Sequence, residues 1–261
     1  MFHQARLHRP HAFPRTFGVA WLVLLSLLLG TVLVFYSSRH GAVATGSLTH
    51  LLPKDPVSRE EILSIARSYA EHHWQATSKN VRHSLDAHGV QIETPDSPTG
   101  ASEAGKWHVD AENIGLPYKW GGFDTPQSFD AGLKSGKAAG DVYSTAKRSA
   151  GNAGVSDEAV GIDCSGFISR CWKLPQKLGT ATLPGLCRAL DSPDYLQPGD
   201  IMDAPHGHVV LFIKWLDASK SSALFYEAEA EPQPKVVTSE HRILWLRLCG
   251  ARPYRYLRIQ D

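Results

Sequence analysis

The run Phe17–Tyr36, FGVAWLVLLSLLLGTVLVFY, holds twenty residues without a charge, and it restricts what this chain can become more than any other stretch. As a helix rising about 1.5 Å per residue it spans about 30 Å, the hydrocarbon thickness of a bilayer. It has no polar face, which argues against a buried helix of a soluble domain. The sixteen residues before it carry Arg6, Arg9 and Arg15 and no acid, a bias that keeps residues 1–16 cytoplasmic and exports the rest. The sequence therefore predicts a transmembrane signal anchor at 17–36, a linker at 37–56 and a membrane-anchored extracytoplasmic domain over 57–261, periplasmic or at the cell surface. The alternative is a signal peptide cleaved near Ala44, after Ala42-Val43, giving a secreted product. The apolar run is longer than the ~7–15 residues of a signal core, which favours the anchor.

Charge is balanced, with 27 basic and 26 acidic residues in 261. No basic tract marks a nucleic-acid partner and no acidic tail marks disorder. The four cysteines are Cys164, Cys171, Cys187 and Cys249. Outside the cytoplasm a pair of them can bridge, Cys171 and Cys187 being the nearest plausible candidates. They form no CxxC pair and have no histidines at ligand spacing, so neither a metal nor another cofactor is expected.

Ser58 with Glu61 reads as a capping box, and Ile62, Leu63, Ile65, Ala66 and Tyr69 follow at helical spacing, predicting a helix over 59–78. Residues 80–115 are polar and read as a loop-rich insertion with a short helix near Val81–Ala87. LPYKWGG at 116–122 reads as a tight turn packed by aromatic rings. A second insertion, 123–160, reads as a solvated excursion rather than a mobile flap, with a helix around Val142–Ser149. A helix is expected from Cys164 to about Trp172, then a Pro-Gly turn in Leu196-Gln197-Pro198-Gly199-Asp200-Ile201. His208–Leu216 and Ala223–Glu231 read as an antiparallel hairpin, with further strands at Ile243–Leu248 and Tyr254–Leu257.

The chemistry gathers at Asp163-Cys164-Ser165-Gly166 and Gly207-His208-Val209-Val210. A cysteine where a loop turns into a helix sits among free backbone N–H groups that favour thiolate and oxyanion. His208 opens the apolar strand, which orients its ring, whereas His206 falls in the exposed Pro205–Gly207 turn. Without that context, Cys164 would be a packing cysteine and His208 a strand-edge histidine. A base of this kind needs a third group to set its tautomer. Glu227, Glu229 and Glu231 alternate along the second strand and share one face. Parity gives the face and leaves open which glutamate meets His208.

Pro117-Tyr118-Lys119-Trp120-Gly121-Gly122, Asp163-Cys164-Ser165-Gly166-Phe167, Leu196-Gln197-Pro198-Gly199-Asp200-Ile201, Gly207-His208-Val209-Val210-Leu211-Phe212 and Tyr226-Glu227-Ala228 occur in an order that resembles the NlpC-type, papain-like cell-wall peptidases, across roughly residues 117–257. The resemblance implies an α+β fold with the nucleophile at a helix N-terminus packed on an antiparallel sheet. It implies hydrolysis of amide bonds in peptidoglycan stem peptides, with Cys164 as nucleophile, His208 as base and Glu227 as third member, Glu229 being the alternative. Tyr118 resembles an aromatic hydroxyl lining the cleft, and Asp163 and Ser165 fall where substrate binding or loop support is expected. The insertions at 80–115 and 123–160 depart from the family, as does the lack of a wall-binding repeat. The competing readings are an acyltransferase or amidase of the same fold acting on another amide or a lipid, and a non-catalytic wall-binding scaffold.

Overall fold

The computed structural model describes residues 52–53, 55–96 and 106–260. The expected anchor at 17–36, the basic segment before it and most of the linker lie outside the described residues. Among the described residues no helix is long and apolar enough to cross a membrane.

The centre is a six-stranded antiparallel sheet. Its strands in chain order are β1 (Cys187–Ala189), β2 (Ile201–Asp203), β3 (Val209–Trp215), β4 (Ser222–Ala228), β5 (Val236–Arg242) and β6 (Arg252–Tyr256), arranged β5-β4-β3-β2-β6-β1. The helices are α1 (Arg59–Ala70), α2 (Pro126–Lys134), α3 (Thr145–Ala150), α4 (Cys164–Cys171) and α5 (Ile243–Leu248). Alternation along β4 sends Tyr226 and Ala228 into one apolar cluster and Ala223 and Phe225 into another. The first cluster also contains residues of α1 and α4. Tyr69 meets Phe167 edge-on with ring centres 5.7 Å apart, and Trp172 stacks on Tyr256 at 4.5 Å. The second is covered by Ile243 and Leu246 of α5, with Leu196.

The Pro-Gly turn before β2 is held by Asp200, whose side chain is fully buried. Its carboxylate accepts from the Gln197 N–H at 2.9 Å, Arg59 at 3.2 Å and Arg255 at 2.7 Å. This fixes the entry of the chain into the sheet just ahead of His208.

Several local expectations differ from the structure. Helix α1 stops at Ala70 rather than 78 because Trp74 is drawn into the core. There its indole N–H donates to the Gly115 carbonyl at 2.9 Å, and His73–Gln75 pairs with Glu112–Ile114 as strands. Residues 81–87 are not helical, since His83–Leu85 pairs with Gln91–Glu93. The segment 123–160 is not merely solvated: Phe129 of α2 is fully buried, and Lys147 of α3 is buried in an ion pair with Asp141. Ile243–Leu248 is a helix rather than a strand, burying Ile243 and Leu246 at i, i+3 spacing and turning Leu244, Trp245 and Leu248 outward. All four cysteines are free, and Cys187 Sγ instead contacts the Leu183 carbonyl at 3.4 Å.

Candidate active site

Cys164 is the first residue of α4. Asp163 caps the helix with Oδ1, accepting from the Gly166 N–H at 2.7 Å and from Ser165 Oγ at 3.1 Å. Its Oδ2 pairs with Lys177 at 3.0 Å. Both oxygens are therefore engaged in holding the loop, as is the Ser165 hydroxyl. The Phe167 N–H closes on the Asp163 carbonyl. Helix geometry then leaves the Cys164 and Ser165 N–H groups without intrahelical acceptors, directed out of the helix start beside the sulfur.

The start of α4 is braced by LPYKWGG. The Asp163 N–H donates to the Gly122 carbonyl at 3.3 Å, and Tyr118 bridges Ile162 in parallel. A Cβ on Gly166 would lie 2.1 Å from the Gly122 oxygen, so only glycine allows this approach. Gly121, at φ +71°, makes the preceding turn. Tyr118 is buried; burial and the neighbouring Cys164 and Asp163 hold its phenol well above its ordinary pKa, so it is a hydroxyl donor throughout the neutral range.

His208 lies one residue before β3. Its Nε2 is 2.5 Å from Glu227 Oε2. Cys164 is the other neighbour that favours a charge on this ring. The His208 side chain is 39% exposed, whereas that of Glu227 is 3% exposed. Burial opposes a charge on His208, but Cys164 and Glu227 outweigh it and raise the imidazole to about 10. Burial likewise works against the Glu227 carboxylate. Hydrogen bonds from His208 and from His241 Nε2, 2.7 Å from Oε1, hold it well below the usual carboxylate range. His208 therefore carries its proton at neutral pH beside the sulfur, the arrangement a cysteine nucleophile uses.

No family model, curated protein or solved structure matches this chain.

The hairpin register pairs Leu211 with Tyr226, which carried three residues on would set His208 opposite Glu229. The carboxylate that reaches the ring is that of Glu227, of the same parity and one pleat back. Glu229 lies beyond the end of β4, half-buried; burial and the Glu227 charge raise its carboxyl to about 7. Glu231 is exposed. His206 has φ +61°, is exposed, and through its carbonyl accepts from Arg148 at 2.6 Å, tying α3 to the loop that carries His208. Among the described residues no group of three or more His, Cys, Asp or Glu is placed to hold a metal ion.

Two residues near His208 have no counterpart in the sequence reading. His241 is the second donor to Glu227. Asp203, opposite Val209 at the end of β2, is fully buried with neither carboxylate oxygen hydrogen-bonded. Burial raises Asp203 to about 7, with the nearby His208 charge acting in the opposite direction. A carboxyl near 7 when folded and near 3.9 when unfolded binds its proton more tightly in the folded state. Its contribution is complete below about pH 4 and is lost as pH rises through 7, a change of about 4 kcal/mol. Asp203→Asn is therefore expected to flatten this decline, making the variant the more stable protein at pH 8 and close to equal at pH 4. Urea unfolding across that range checks it, and parallel curves would refute it.

Proposed function

We propose that this chain is an extracytoplasmic cysteine hydrolase that cleaves amide bonds in peptidoglycan stem peptides, held at the membrane by residues 17–36. The observation that carries the chemistry is the 2.5 Å contact between His208 and a buried Glu227, on a ring whose charge is also favoured by Cys164 at a helix start. The substrate class and location rest on the ordered motifs and the uncharged run in the sequence.

In this reading the Cys164 sulfur attacks the amide carbonyl carbon. The negative charge that develops on the carbonyl oxygen is met by the Cys164 backbone N–H and the Tyr118 hydroxyl. Collapse of the adduct expels the amine, which takes the proton held by His208, and leaves an acyl group on sulfur. Once the sulfur is acylated it no longer supports the imidazolium, so His208 becomes the base that draws a proton from water. The water oxygen attacks the thioester, the C–S bond breaks, and the free carboxylic acid departs as His208 and Cys164 regain their initial forms. Glu227 stays ionised and fixes the ring.

The test is digestion of purified muropeptides by the full chain, with products resolved by mass spectrometry. Cleavage at one class of amide bond, adding one water, is the expected result. Intact muropeptides after incubation with folded protein whose Cys164 still reacts with iodoacetamide would overturn the substrate assignment.

A further inference from the structure

We propose that His241 is a positioning residue, which holds Glu227 against His208 and extends the centre to a four-residue array of Cys164, His208, Glu227 and His241. The proposal builds on the reading of Cys164 and His208 as the hydrolytic pair. Register sets Glu227 beside Val237 and His241 beside Ala223. The two side chains therefore meet only by reaching along their strands past Phe225, whose ring lies 5.8 Å from the His241 imidazole. The outcome is a carboxylate with each oxygen engaged, Oε2 by His208 at 2.5 Å and Oε1 by His241 at 2.7 Å.

A buried carboxylate held at one oxygen can turn about its last side-chain bond; held at both, it cannot. The second donor also offsets the cost of burying the charge, which otherwise favours a neutral acid with little hold on an imidazolium. Outer partners of this kind orient the group that orients the reacting one. Other titratable groups surround the pair without taking this role. His208 faces Cys164 from α4, Asp203 from β2 and Glu229 beyond β4, and Glu229 also acts on His241 and Glu227.

His241→Asn and His241→Gln, made in the full chain, separate positioning from bulk. The glutamine amide N–H can span to Oε1; the shorter asparagine cannot. The His208 ring proton resonance, identified by its loss in His208→Ala, is followed in ¹³C-histidine-labelled protein from pH 6 to 11, with circular dichroism confirming the fold. In His241→Asn the His208 midpoint is expected to fall by at least about one pH unit, with kcat reduced about tenfold at unchanged KM. In His241→Gln the midpoint stays near that of the unaltered protein. An unmoved midpoint in His241→Asn, or equal shifts in both variants, would overturn the proposal. The titration needs no substrate, so a protein that leaves muropeptides intact would sink the hydrolase assignment while the array still stands or falls on the midpoints.

Discussion

Cys164→Ser is expected to lower kcat/KM for amide hydrolysis by on the order of 10⁴-fold or more, while the protein remains folded. Serine nearly matches cysteine in volume, and the site is one where α4 begins, so Asp163 still caps Gly166 and the helix still packs on α1. The loss is chemical. A serine hydroxyl is not ionised beside an imidazolium at neutral pH, and the support that Cys164 gives to the His208 charge disappears with the sulfur. The His208 imidazole should therefore titrate lower in the variant, where burial is opposed by Glu227 alone. Thermal unfolding is expected to move by no more than a few degrees. A variant retaining a tenth of the parental rate would remove Cys164 from the reaction. Cys171 offers no substitute nucleophile, because it is buried and burial holds its thiol well above the ordinary range.

The start of α4 was the most legible part of this centre. Asp163 followed by Ser165-Gly166 states a capped loop-to-helix turn in local terms, and local terms suffice for it. The requirement for glycine at 166 was not legible, because it comes from the Gly122 carbonyl, forty-four residues back in the chain. Parity along the hairpin placed Glu227 and Glu229 on one face. The choice between them depended on His208 standing outside β3 and leaning one pleat along, which no spacing states. His241 was invisible for a different reason. VVTSEHR reads as a polar stretch, and its role depends on a neighbouring strand whose register is set by the hairpin beside it. Asp203 sits in a three-residue strand too short to show an alternation. The apolar run ILWLRL was ambiguous between helix and strand, as short apolar runs are, and the second cluster beneath it selected the helix.

Glu227→Gln is expected to reduce kcat by about 10²–10³-fold and to narrow the pH range of activity from its alkaline side. The wild-type imidazole titrates at about 10, with Glu227 one of the groups raising it against burial. An amide brings no charge, and its NH₂ cannot accept from a ring N–H, so only one of the two imidazoles keeps an acceptor. His208 then loses its proton at lower pH, and the alkaline limb of kcat/KM moves down with it. Stability responds in the acid range. A carboxylate whose folded pKa is depressed stabilises the protein above its unfolded pKa, and that contribution is lost as pH falls toward the folded value. The parental protein should therefore lose stability below about pH 4 more steeply than the variant. At neutral pH the variant should be the weaker of the two by about 3 kcal/mol, since two imidazoles lose their shared anion. Rate–pH profiles with urea unfolding at pH 3 and pH 7 test both parts. An alkaline limb unchanged in Glu227→Gln would show that the carboxylate does not support His208, whatever its distance from the ring.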